Sequence, residues 1–510
     1  MPVPHDPRVP RPILLAGTEF VTPELPDGVT LIHPPQPQPG LRSVRAALRR
    51  ALAEPLGSKP LAERVSERDR VLIVFDSPDF PVPPLREDPR GPAIAEILQT
   101  LRDRGLAAER IRLLCASGVG RIYRPAEIAT VLGEKAAQVH ALSCHDAEAL
   151  DGFADFGSTS EGEPVELNAA LTAADLVISV ALVQTPLNGG YGPLVSGLAS
   201  ARTARVVWSA KNLCAGPNAL DPRSGLHKAT RRIGKLLEKK LEIFHLEIAL
   251  DTRLWASPIA RLAKAEGALP RPLQAWSRIP EPLRARASRL FRAEYQPVAV
   301  FAGQVEKVHA RILETLDARC YAPVERQADI VVLGLASVTP HATRSLGNPV
   351  LAASSAFGYH LAWHKGGPLF KKNGAVVLLA PLVERFDKPR HLPYQRFYNE
   401  VLAATREPSE MAERFESLYA GRPEFVSAYR RRNAYHGLHP FFSWYLGWST
   451  LARCNKVFAV GSEKRPAERL GFVPVATVEE ALQAAREAVG KPRPSVAVPA
   501  MPPAFGLNLR

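Results

Sequence analysis

Along this chain, short and nearly continuous apolar runs alternate with stretches whose apolar positions recur at helical spacing. Runs at 70–75, 111–115, 139–143, 175–183, 298–301, 330–335, 374–379 and 456–460 are rich in Val, Ile and Leu and are closed by turn-forming residues, which predicts buried strands. Between them, 41–56 places Val44, Ala47, Leu48, Ala51 and Leu52 on one helical face and stops at Pro55 and Gly57. The same spacing predicts helices over 92–104, 125–132, 165–173, 305–316 and 478–489. Strands alternating with helices mean parallel strand–helix–strand units. The expected fold class is therefore α/β, with two domains, each a mostly parallel sheet flanked by helices, and a cleft between them.

Breaks in the pattern set the expected domain limits. Residues 1–40, with Pro34, Pro35, Pro37 and Pro39, read as a Pro-rich arm. Residues 41–254 read as a first α/β domain and 296–500 as a second, with 501–510 a tail. Between the domains, 255–295 is Pro-rich and basic (Arg271, Arg278, Arg284, Arg286, Arg289, Arg292) and reads as a connector. A length of 510 residues fits this division, being too long for one ordinary core. Ligands of open α/β sheets sit beyond the carboxyl ends of the strands. The loops after Phe75, Cys115 and Val183, the last of them carrying Asn188-Gly-Gly-Tyr-Gly192, are where a site is expected.

Composition narrows the function classes. Apolar residues at 46% and charged residues at 23% are the balance of a soluble globular protein. The longest apolar runs, 176–183 and 375–383, are too short to span a bilayer, and the first residues lack the apolar core of a signal peptide. A cytoplasmic location is expected, and no membrane partner. Five cysteines lie far apart with no Cys-x-x-Cys pair, which argues against a disulfide framework and a cysteine-built metal site. The net charge of +14 raises the question of nucleic acid, but no compact basic–aromatic motif accompanies it. Nucleic acid is therefore not the expected partner.

Several segments, in order and at matching spacing, resemble the nickel-pincer lactate racemase family. Ala51-Leu-Ala-Glu-Pro-Leu-Gly-Ser-Lys-Pro-Leu61 is similar to the family's A-L-x-x-P-I/L-G-S-x-x-L. Residues 71–83, with Asp76 and Pro81-Val82-Pro83, resemble D-D-x-T-R-P-x-P. Ala116-Ser-Gly-Val-Gly-Arg121, followed by Glu127-Ile128 and Leu132-Gly133, resembles A-T-G-x-H-R with E-I and L-G. His145-Asp146-Ala147, then 157–165 and Asn168, resemble H-D-A and G-T-T-S-R-G-T-P-V-x-x-N. Phe301-Ala302-Gly303, Ala328-Asp329-Ile330-Val331, Glu479-Glu480-Ala481-Leu482 and Val496–Pro499 extend the likeness, which covers roughly 45–500. It implies two α/β domains around a nickel-pincer nucleotide. It also implies an isomerase that racemises or epimerises a small 2-hydroxy acid, moving a hydride to the cofactor and back while a histidine takes the hydroxyl proton.

The departures from the family fall on the chemistry. Ser77 and Phe80 stand where the resemblance puts a carboxylate and an arginine, with Asp76 and Asp79 beside them. Gly120 replaces one histidine; a gapless reading of the glycine-rich loop puts Pro186 at another and Ser196 at the cofactor's lysine. A further histidine falls near Asn212, next to Lys211, and a Gln-x-x-Lys pair near Gly358 and Leu361, close to His360, His364 and Lys365. A thioamide link to lysine cannot form at Ser196, and loss of a general base costs ~10²–10⁴ in rate.

Two readings follow. One is a racemase or epimerase with relocated groups: His360, Lys211 and Arg121 catalytic, with Asp76, Ser77, Asn188, Gly189, Gly190 and Tyr191 binding the cofactor. His360 and His364, four apart, then offer a metal pair if their segment is helical. The other is a pincer-less relative that binds a small anionic ligand in the cleft without racemase activity. Plainer roles compete throughout: a tight turn for 188–192, an ion pair for Arg121, hydrogen-bonded histidines at 360 and 364, loop ordering for His145-Asp146, and core packing for the aromatic stretch 435–448.

Overall fold

Every residue of Leu176–Val183 is buried, as befits a strand covered on both faces. It pairs in parallel with Val71–Asp76 on one side and Ile243–Leu250 on the other. Ile111–Ala116 and Ala141–Cys144 extend the sheet beyond Val71–Asp76, and Pro297–Gly303 closes the opposite edge antiparallel to Ile243–Leu250. A second six-stranded sheet runs Val473–Val475, Lys456–Val460, Phe370–Leu379, Ala328–Gly334, Val496–Pro499, Thr30–Ile32, and every pair in it is parallel. Helices flank both sheets, so the α/β class expected from the alternating pattern holds.

This computed structural model describes residues 11–36, 38–80, 85–133, 141–254, 268–288, 290–336, 347–500 and 504–510. The motif Pro81-Val82-Pro83, the first residues of the arm, 139–140 of a predicted strand, much of the connector and part of the tail lie outside that set. Among the described residues no helix is long and apolar enough to cross a membrane.

Three elements differ from the sequence reading. The helix predicted over 165–173 is instead the strand Pro164–Asn168, antiparallel to Phe153–Ser158, and a short 3₁₀ turn Ala169–Leu171. Val165 and Leu167 are buried while their neighbours are half-buried, a period of two that the short segment hid. Pro297–Gly303, expected to start the second sheet, completes the first. Its polar-free residues cover the edge of Ile243–Leu250, and the chain then turns at Gly303 into the helix Val305–Arg319, which packs on that same strand. From the Pro-rich arm, Thr30–Ile32 pairs with Val496–Pro499 at the edge of the second sheet.

The segment between Phe370–Leu379 and Lys456–Val460 is helical and aromatic. Its last helix, His439–Leu451, buries Phe441, Phe442, Trp444 and Tyr445. It packs on the π-helical turns Ser354–His360 and on the first-half helix Ala210–Cys214. Core packing is thus what the stretch 435–448 does, and it brings the two halves of the chain together.

Candidate functional site

A cavity of about 440 Å³ opens at the carboxyl ends of the first sheet's strands. Its walls come from the loops that follow Val71–Asp76, Ile111–Ala116 and Leu176–Val183, from the helices Gly225–Glu238 and Val305–Arg319, and from the aromatic helix His439–Leu451. Such a position is where the topology of open α/β sheets leaves space for a ligand.

The densest chemistry beside this cavity starts in the strand Ile243–Leu250. All eight of its residues are buried, yet His245 and Glu247 interrupt the apolar run at alternate positions and so share one face. His245 Nε2 lies 2.8 Å from Glu247 Oε1. The Gly190 amide donates to the same oxygen. From the helix Val305–Arg319, His309 Nδ1 lies 3.1 and 3.2 Å from the two carboxylate oxygens. Burial works to raise the Glu247 carboxyl, but the charge of His309 and the hydrogen bond from His245 outweigh it and hold the group well below the usual carboxylate range. Burial works to lower His309, and the Glu247 carboxylate overcomes it, so His309 titrates above its ordinary value. With Nδ1 committed, Nε2 of His309 has no hydrogen-bond partner among the described residues, and the ring lines the cavity.

The glycine-rich loop has its sequence for this reason. Gly189 adopts φ +84°, and a Cβ there would sit 2.5 Å from Glu247 Oε1 and 2.6 Å from Val183 Cγ2. Gly190 at φ +55° lies against the His309 ring. Only residues without a side chain let this backbone reach a buried carboxylate from the left-handed region. The amides of Asn188, Gly190 and Gly192 are spent on Thr185 O, Glu247 and Gly189 O, so they hold the loop together.

Asp76 ends its strand with its carboxylate accepting the Leu182 amide at 2.8 Å. Burial pushes it up to about 6, against the opposing pull of Arg90. Arg90, itself 1% exposed, clamps the loop beyond: it donates to the carbonyls of Asp76, Ser77 and Phe80 at 2.7–2.8 Å and pairs with Asp88. At the next loop Arg121 bonds Asp79 at 3.1 and 3.3 Å, Glu127 at 3.0 Å and Asn433 Oδ1 at 2.8 Å, and lies over the Tyr123 ring. Tyr435 donates to Asp79 as well, at 3.2 Å. These contacts join the two halves of the chain beside the cavity.

Of the residues singled out from sequence, Asp76 and Asn188, Gly189, Gly190 and Tyr191 line the cavity. Ser77, Arg121, Lys211, His360 and His364 are not among its walls. Lys211 is exposed on the short helix Ala210–Cys214. His360 ends the π-helical turn, whereas His364 lies in a two-residue strand paired with Gly506–Leu509 and contacts Asn218 Nδ2 at 3.2 Å. One helical face therefore does not carry both, and among the described residues no group of three His, Cys, Asp or Glu stands ready for a metal. His145 spans Ala199 O and Asn168 Nδ2 at 2.9 and 3.1 Å, ordering its loop.

At the position matched to the cofactor's lysine, Ser196 does line the cavity, and its hydroxyl accepts a hydrogen bond from Trp208 Nε1 at 3.2 Å. Gly120, matched to a histidine, lines it too and offers no imidazole. Sequence reasoning missed His309, His227, Arg231 and the His245–Glu247 pair. The last carried a signal, two polar residues at alternate positions of an otherwise apolar run. His227 lines the cavity with Nε2 3.0 Å from Ala219 O, and burial, with the charge of His309, drops it to about 4. Arg231 bonds Glu306 at 2.5 Å at the rim.

Residues 17–210 match the model of the lactate racemase N-terminal domain. The whole chain is similar in fold to the lactate racemase apoprotein from Thermoanaerobacterium thermosaccharolyticum, with a TM-score of 0.66 at 16% identity, covering 98% of this chain and 100% of that one. A structural-genomics protein from Thermotoga maritima is similar with a TM-score of 0.50 at 13% identity, over 92% of this chain and 97% of that one. No curated protein matches in sequence.

Proposed function

We propose that this chain is a lactate racemase-like protein, on the match of residues 17–210 to that family's N-terminal domain and the similarity of fold over the whole chain, and that its cavity binds a small carboxylic acid of the 2-hydroxy or 2-oxo kind without a lysine-tethered nickel-pincer nucleotide. The observation that carries this reading is Ser196. Its side chain reaches the cavity wall at the position matched to the tethering lysine, but a hydroxyl engaged by Trp208 has no amine to form the thioamide. Gly120 and Pro186 likewise supply no imidazole where the resemblance puts histidines. The residues present do not fit that cofactor.

What the cavity holds instead suits an acid ligand. Its carboxylates are already answered: Asp79 by Arg121 and Tyr435, Glu306 by Arg231, and Glu247 behind the wall by two histidines. Asp76 keeps its proton up to about pH 6. The cationic groups that face a ligand are His309, with its raised affinity for a proton, and Arg231, which binds Glu306 through Nε and turns its terminal nitrogens to a carboxylate.

The test is intact mass and nickel content of protein co-produced with the enzymes that make the pincer nucleotide, followed by calorimetry with lactate and phenyllactate. The reading expects the bare chain mass, no stoichiometric nickel and saturable binding of one of the acids. A covalent adduct with stoichiometric nickel would overturn it.

A further inference from the structure

His309 and Asp76 both line the cavity, and both titrate above their ordinary values. In His309, Nδ1–H donates to Glu247, which is itself anchored by His245 and the Gly190 amide. That leaves Nε2 to give and recover a proton in the cavity. Asp76 lines the same cavity and lies close enough to Glu247 and His245 for their charges to act on it. Neither role follows from the family resemblance, which matched no residue at 309 and gave Asp76 to the cofactor.

The remaining wall speaks to size and shape. Trp208 and Phe442 stack with ring centroids 6.1 Å apart and planes 19° from parallel, and Leu446 lies on the same helix as Phe442. A volume of about 440 Å³ exceeds what a three-carbon acid fills. It falls within the ~300–1,000 Å³ of sites for larger organic ligands.

Resting on the reading that the cavity takes a small carboxylic acid, we propose that it catalyses proton exchange at the carbon next to the carbonyl of a 2-oxo acid bearing an aryl or branched side chain, with Asp76 as base and His309 as acid. The Asp76 carboxylate takes the proton from that carbon. The C–H electron pair becomes the C=C bond of the enol, and the carbonyl π pair moves to oxygen, which receives the proton carried by His309 Nε2. The return step places a proton on carbon from Asp76 and restores that of His309. Nothing is oxidised or reduced, and in heavy water the carbon gains deuterium. Glu247 is a positioning residue that sets the tautomer and basicity of His309. Arg231 holds the ligand's carboxylate, and the Trp208–Phe442 wall takes its side chain.

The experiment follows deuterium incorporation at the benzylic carbon of phenylpyruvate by proton NMR, with calorimetry on phenyllactate in parallel. The intact chain is expected to exchange at least ~100-fold faster than buffer, in the range general-base catalysis supplies. His309→Gln is expected to lose that rate. Asp76→Asn, which keeps the side chain's shape, is expected to lose at least ~10-fold. In Glu247→Gln the alkaline limb of the exchange profile moves to lower pH, a shift that lost packing alone does not produce. Binding without exchange, or exchange undiminished in both His309→Gln and Asp76→Asn, overturns this inference and leaves the binding reading intact. Failure to bind either acid removes both.

Discussion

Replacing Glu247 by Gln preserves the shape of the side chain but puts an amide NH₂ where one of two imidazole donors now points. In the protein Glu247 is fully buried and accepts from His245 at 2.8 Å, from His309 at 3.1 and 3.2 Å and from the Gly190 amide. Removing one partner of a buried ion pair costs about 3–5 kcal/mol, because the partner charge stays behind uncompensated. The loss has a defined pH window. The folded Glu247 carboxyl lies below its ordinary 4.5, so its contribution is present above that value and fades as pH falls through the folded one. The folded His309 lies above its ordinary 6.5, so its contribution is present below that value and fades as pH rises through the folded one. Both act together between 4.5 and 6.5. Urea unfolding of Glu247→Gln, followed by circular dichroism, should lose about 3–5 kcal/mol from the first transition near pH 5.5 and visibly less near pH 9. A loss under about 1 kcal/mol, or one equal at both pH values, would refute this charge pairing.

Three further outcomes follow from the same geometry. Asp76→Asn should leave stability unchanged near pH 3.5 and raise it near pH 8 by up to about 3 kcal/mol, since the folded carboxyl at about 6 against an ordinary 3.8 penalises the ionised form only above the lower value; equal melting curves at pH 8 would contradict this. Gly189→Ala should cost more than about 1 kcal/mol in the same urea assay and disturb His309, because its Cβ meets Glu247 Oε1 from a left-handed backbone, and an unchanged His309 imidazole resonance would argue otherwise. Cys144 should alkylate fastest of the five cysteines: a hydrogen bond from Cys115, its cross-strand neighbour, with Ser117 and the Tyr123 amide, lowers its thiol against the effect of burial, while burial raises the other four. Mass spectrometry after brief iodoacetamide treatment reads the order directly.

How far the sequence carried depends on the range of the interactions. Val71–Asp76 and Leu176–Val183 were legible because a strand buried on both faces must be apolar at nearly every position. Pro164–Asn168 was not, because five residues with two buried positions fit a helix start as well as a strand. Asp76 and the 188–191 loop line the cavity because they stand at carboxyl strand ends, a rule of topology that the sequence pattern already exposes. His309 was missed because its partner Glu247 lies 62 residues away. The two meet only because Pro297–Gly303 doubles back antiparallel and the next helix crosses the strand that carries Glu247. His360 and His364 were chosen on a spacing that needs one continuous helix, and the chain leaves that helix between them.

The most direct test is a crystal structure of the chain soaked with phenyllactate. The acid is expected in the cavity, its carboxylate at Arg231, its ring against Trp208 and Phe442, and His309 Nε2 within hydrogen-bond reach of its hydroxyl. Density for the acid elsewhere, with this cavity holding only solvent at saturating ligand, would contradict it.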